Sequence, residues 1–337
     1  MSAAFLVGAV MLEALVLYGL LGGADFGGGI LGAFAAGPRA RAQREAIEQA
    51  IGPIWEANHV WLIVVIVLLF SCFPPAFAAV CIGAFVPLVL LLIGIVLRGA
   101  AFTFRTYYTP DDPVQRRWGV VFSVASMLAP LMLGVVVGTL ASGGLQFTGG
   151  VLAVGYFAWL TPFPVVVGFF AAALFAFLAA VYLTVETDGE LRDDFRARAL
   201  VAGAVVFLLA LAAAVASYTQ APRILAGLTS RAWSVPLHLA TAAAAITVFV
   251  ALWKRRFRLA RLAAAAQVGL IVVGWGAAQY PYLIVDDFTL ASASGAVRTQ
   301  TLVLYALAAG AFVLFPSLYL LFRVFKGERP FAVVDKR

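Results

Sequence analysis

Runs of about twenty mainly apolar residues, long enough to cross roughly 30 Å of hydrocarbon as helix, recur nine times along this chain. They cover approximately residues 3–25, 55–72, 76–98, 118–140, 159–183, 199–218, 235–252, 262–280 and 301–323. Nothing else in the sequence restricts the fold so strongly, because a helix satisfies all its backbone polar groups within one segment of a bilayer. Apolar residues make up 64% of the 337 and charged residues only 12%, against about 45–50% and 25% in soluble domains. A soluble fold could not cover that surplus. A soluble enzyme, a disordered chain, a disulfide scaffold and a nucleic-acid binder are thereby excluded. The expectation is an all-α, polytopic membrane protein forming a single transmembrane domain over residues 1–337.

Local signals refine the spans. The first runs directly into a Gly-rich apolar stretch, residues 26–36, that prolongs it. Phe73-Pro74-Pro75 makes a tight stop between the second and third, where proline ends one helix and starts the next. Residues 141–158, rich in Gly and uncharged, read as a loop on or dipping into the interface. No basic segment precedes the first apolar run, so it reads as a retained signal anchor. The polar interval 185–198 reads as a solvated loop. With the N-terminus outside and nine crossings, only Arg223, Arg231 and Arg298 of the 23 Lys and Arg fall on the outer side. Basic residues collect on the cytoplasmic side of membrane proteins, so the N-terminus is expected to be periplasmic and the C-terminus cytoplasmic. The formal charge of +7 then reports topology rather than a polyanionic partner, and the basic cluster at 254–261 is an anchor compatible with anionic lipid headgroups.

Most of the 16 acids follow the arginines to the cytoplasmic segments. Asp286 and Asp287 are outer-loop carboxylates with an N-cap role for the final helix. Glu13, Asp25 and Glu56 are different: they lie at or near membrane depth, where an ionisable group is costly and marks function by default. Asp25 stands in Gly22-Gly23-Ala24-Asp25-Phe26-Gly27-Gly28-Gly29, whose glycines allow close helix approach. Glu56 opens the second span in Trp55-Glu56-Ala57-Asn58-His59-Val60-Trp61, with His59 three residues on and so on the same face. Arg98 ends the third span at the same side as a salt-bridge partner for Asp25. Two carboxylates, an imidazole and a guanidinium thus meet at one level, a set able to take up and release protons.

Plainer roles compete: Glu56 as a first-turn acid complementing the helix dipole, Arg98 as a flanking anchor, and His59 as a packed helix residue. Glu13 is equally a buried protonated acid bonded to another helix or a transport residue. Neither His59 nor His238 has a second ligand at helical spacing, so no metal site is expected. Cys72 and Cys81 read as packed thiols.

In these motifs the chain resembles subunit II, the CydB-type subunit, of cytochrome bd quinol oxidase. The resemblance rests on Tyr18 through Gly29, on Gly52-Pro53-Ile54-Trp55-Glu56-Ala57-Asn58-His59-Val60-Trp61, on Leu97-Arg98-Gly99-Ala100-Ala101-Phe102, on Thr161-Pro162-Phe163 and on Gln279-Tyr280-Pro281-Tyr282. It implies nine helices as two four-helix bundles plus a peripheral one, in the bacterial cytoplasmic membrane. It implies a haem-bearing partner, subunit I, holding two haem b and one haem d and the quinol site, and small single-helix accessory subunits are compatible with it. This chain would then stabilise the complex, which oxidises quinol and reduces O2 to water, and help conduct cytoplasmic protons. Asp25, Glu56 and Arg98 fall on the family's charged positions. Departures are Gly22 where a second Asp is common, Glu56 for Asp, and Ala57 and His59 for Gly and Gln. Some members hold a structural quinone in this subunit; no spacing here shows one. The competing classes are a secondary transporter or proton channel without a redox partner, and a purely structural scaffold.

Overall fold

The structure is a computed structural model that describes residues 2–51, 58–105, 113–148, 151–153, 155 and 157–326. It is helical throughout, apart from two short hairpins in the connections. Helix α1 covers Ala3–Ala33 and α2 Ala40–Ile51. Next come α3 (Val60–Cys72), α4 (Pro74–Gly83), α5 (Phe85–Arg105) and α6 (Pro113–Ser142). The second half holds α7 (Pro162–Glu186), α8 (Gly189–Gln220), α9 (Pro222–Thr229), α10 (Ser234–Trp253), α11 (Phe257–Gln279) and α12 (Val297–Lys326). Strands β1 (Phe147–Thr148) and β2 (Val151–Leu152) pair antiparallel, as do β3 (Tyr282–Ile284) and β4 (Phe288–Thr289).

Among the described residues eight helices are long and apolar enough to span a membrane, or nine if α3 and α4 count as one broken span. Those two are bent by 119° at Phe73, where the proline pair was expected to end a helix. The Gly-rich stretch does prolong α1. Other boundaries differ. The third apolar run is split at Ala84 into α4 and α5, and α5 continues to Arg105, so Arg98 is not at its end. The expected loop at 185–198 is mostly the first three turns of α8, since charged residues are good helix formers once outside the membrane. Arg192 and Asp188 pair one turn apart at its start. Asp286 and Asp287 do not cap α12: Asp286 pairs with Arg223, and Asp287 accepts a hydrogen bond from the Phe147 amide at 3.2 Å.

Helix α1 packs closely against α7 at Gly27 and against α6 at Gly29. A Cβ on Gly27 would fall 1.9 Å from the Phe175 carbonyl oxygen, and one on Gly29 would fall 2.1 Å from Ser126 Oγ. Only glycine permits that contact. Leu178, Val181, Phe195, Leu252 and Val268 fill the core on one side of α1, and Tyr18, Phe26, Leu91, Met132 and Phe175 fill it on the other. At the arginine-rich end, Arg198 donates to the Leu31 and Phe34 carbonyls at 3.0 and 2.9 Å. It thereby satisfies carbonyls that the end of α1 leaves open. Arg39 binds Asp194 at 2.7 Å and Glu190 at 2.7 Å, and Gln43 binds Asp194 at 2.9 Å and Arg198 at 2.7 Å. This polar seam locks α2 and the segment before it to α8.

Candidate functional site

Asp25 is buried in α1, two turns before its end, at only 3% exposure. Its Oδ2 accepts a 2.6 Å hydrogen bond from Asn58 Nδ2. Asn58 is itself buried just ahead of α3, so the start of one helix supplies the donor to a carboxylate in another. At this length the bond is at the short end for an N–H donor and an oxygen acceptor.

Arg98 stands against Phe26, at 1% exposure. Its guanidinium carbon lies 4.9 Å from the Phe26 ring centre and 5.2 Å from that of Phe122. Such cation–π contacts gain strength when desolvated. The expected direct salt bridge between Asp25 and Arg98 does not form: Asp25 takes its bond from Asn58, and Arg98 Nε and Nη2 have no hydrogen-bond partner among the described residues. The Tyr18 and Ser126 hydroxyls share that condition. Buried polar groups of this kind are ordinarily met by bound water. His59 is half-buried, its ring 5.5 Å from Phe26 and 6.0 Å from Tyr18.

Of the residues singled out from sequence, Asp25, His59 and Arg98 are therefore gathered around Phe26. Glu56 lies outside the described residues. Glu13 is exposed on α1, twelve residues or about 18 Å of helix from Asp25, and is not part of the group. It is not the buried acid that one reading foresaw. The sequence reading passed over Asn58, although it stood in a quoted motif, and gave no role to Tyr18, Phe122 or Ser126. It also missed a cavity of about 140 Å3 beside Asp25 and Asn58, bordered by Tyr182, Glu186 and Arg261.

That cavity and the packed ring of His59 do not fit a porphyrin, and His238 Nδ1 lies 2.7 Å from the Ser234 carbonyl of its own helix. What the arrangement can do is hold a buried carboxylate, hydrogen-bonded yet reachable through a polar opening, next to a fixed positive charge.

The family model for cytochrome bd terminal oxidase subunit II matches residues 3–325. Cytochrome bd-I ubiquinol oxidase subunit 2 of Escherichia coli K12 is 30% identical over 203 residues, 58% of this chain and 52% of that protein. Cytochrome bd ubiquinol oxidase subunit 2 of Bacillus subtilis is 29% identical over 200 residues, 59% of this chain and 58% of that one. The chain thus spans about half the length of the curated relatives it matches. A solved bd oxidase from Geobacillus thermodenitrificans superposes with a TM-score of 0.82 at 22% identity, over 98% of this chain and 100% of the matched one. That likeness shows the fold.

Proposed function

The chain belongs to the family of cytochrome bd terminal oxidase subunit II and is a multi-pass inner-membrane protein; from that premise we propose that it serves as the subunit without haem ligands in a quinol-oxidising, O2-reducing complex. Its partner is then a haem-bearing subunit I, which holds two haem b and one haem d and supplies the redox chemistry. The periplasmic N-terminus, cytoplasmic C-terminus and paired four-helix bundles with one peripheral helix belong to the same reading. So do small single-helix subunits.

Within the complex this chain stabilises the partner and passes protons inward from the arginine-rich side. The observation that carries this reading is Asp25: a carboxylate sealed in the helix bundle, held by Asn58 and opening onto a polar-rimmed cavity. An acid at that depth is costly unless it is used. Glu56 is the main relay acid with His59 as its neighbour, and Asp25, with Arg98 as its charged support, feeds that relay.

The test uses the purified complex. The replacements Asp25→Asn and Glu56→Gln should each slow quinol-driven O2 consumption while leaving haem absorbance and subunit stoichiometry unchanged. Turnover equal to wild type in both variants would reduce this chain to a scaffold. A colourless homo-oligomer on gentle solubilisation would point instead to a transporter.

A further inference from the structure

The cavity at Asp25 has a second, distant end. Its floor is Asp25 with Asn58, its walls are apolar (Leu21, Ile47, Ala179, Leu183), and its rim is Tyr182, Glu186 and Arg261. Asp25, Tyr182, Glu186 and Arg261 are the titratable or charged groups among the residues that line it. The rim is built as a unit. Arg261 Nη1 donates to Glu186 Oε1 at 3.1 Å, and the same guanidinium lies 4.9 Å over the Tyr182 ring.

Helices α1 and α7 run side by side in the same direction here, with Gly23 facing Phe175 and Gly27 facing Ala179. Asp25 is thus level with about residue 177 of α7, nine residues before Glu186, so rim and floor are about 13 Å apart along the helix axis. A direct hydrogen bond cannot cross that gap. The cavity of about 140 Å3 can hold a short row of waters, each needing only about 10–15 Å3 by the same measure. At 29% exposure the Glu186 side chain is open to the surface of the chain while still bordering the cavity. Its ion pair with Arg261 is partly exposed, and such pairs are weak. It can part and re-form without disturbing the fold.

Resting on the proton-delivery reading above, we propose that Glu186 is the proton-uptake carboxylate for the Asp25 cavity, with Arg261 as its gate. A proton from the aqueous side is taken by Glu186 as the carboxylic acid, which releases Arg261. It then passes through the intervening water to Asp25, and Glu186 returns to its carboxylate and its ion pair. No electron moves, and each step transfers one proton between oxygen atoms.

The experiment uses the complete complex and measures quinol-driven O2 consumption between pH 6 and pH 9, with haem absorbance as the check on assembly. Glu186→Gln should lower turnover severalfold, with the loss growing toward alkaline pH where protons are scarce. Glu186→Asp, which keeps the titrating group, should recover most of it. Arg261→Gln should flatten the pH profile, because the Arg261–Glu186 ion pair that protonation breaks is then absent. Glu190→Gln serves as the control, an exposed acid paired with Arg39 outside the cavity. Wild-type turnover of Glu186→Gln at every pH, alongside a slowed Asp25→Asn, would overturn the uptake role and leave the proton reading standing. Wild-type turnover of both would overturn the two together.

Discussion

Asp25 accepts a hydrogen bond from Asn58, which the sequence did not signal, and has a charged neighbour in Arg98, which it did. Arg98 and Asp25 announce themselves because each interrupts an apolar run, and a charge there has to be accounted for. Asn58 is neutral, so nothing in the pattern distinguishes it from a residue near a helix start, although its amide makes the 2.6 Å bond. Glu186 and Arg261 meet across 75 residues of sequence, and no local spacing signals that pair. The Asn58 bond is open to direct test. Asn58→Leu removes the donor and leaves a buried carboxylate less well satisfied, a loss of about 1–3 kcal/mol. The complex should melt at a lower temperature and turn over more slowly, whereas an unchanged melting temperature would mean that Asp25 does not depend on Asn58.

Helix positions were legible wherever hydrophobicity runs unbroken, and much less so where charges begin. An apolar window stops at the first cluster of Arg and Asp, yet α8 starts ten residues before the expected span and α2 was not foreseen at all. Both are stabilised by the seam of Arg39, Gln43, Asp194 and Arg198. The Arg39 guanidinium bonded to Asp194 holds that carboxyl down at about 2, with Gln43 adding to the effect. A depressed folded-state value contributes stability that is fully present above the ordinary carboxylate range and lost as pH falls through about 2. Asp194→Asn should therefore lower the melting temperature by a constant amount from pH 8 to pH 5. The gap to wild type should close progressively below pH 4. A gap that stays the same at pH 3 would assign the seam's contribution to packing rather than to the charge on Asp194.

Taken as a whole, the molecule was readable as a many-crossing helical membrane protein from composition and charge alone, because those are properties of the sum. Its breaks were readable only in part. The 119° bend follows from Pro74 and Pro75, but the interruption at Ala84 lies within a run that is apolar on both sides. Orientation can be checked on intact cells with an impermeant thiol reagent. Cysteine at Ala296 should react from outside, and cysteine at Glu190 only in inverted vesicles; the reverse pattern would invert the topology. The place of Asp25 along α1 has an electrical consequence. It stands eight residues before the end of that helix at Ala33, about 12 Å of helix against a hydrocarbon slab of roughly 30 Å. A proton that reaches it from the Ala33 end through a wet opening crosses no more than about two fifths of the membrane field, roughly 0.9 of the 2.3 kcal/mol per 100 mV that a full crossing involves. The larger part of any work against the voltage falls on transfers beyond Asp25, so rates there should respond to membrane potential more steeply than uptake does.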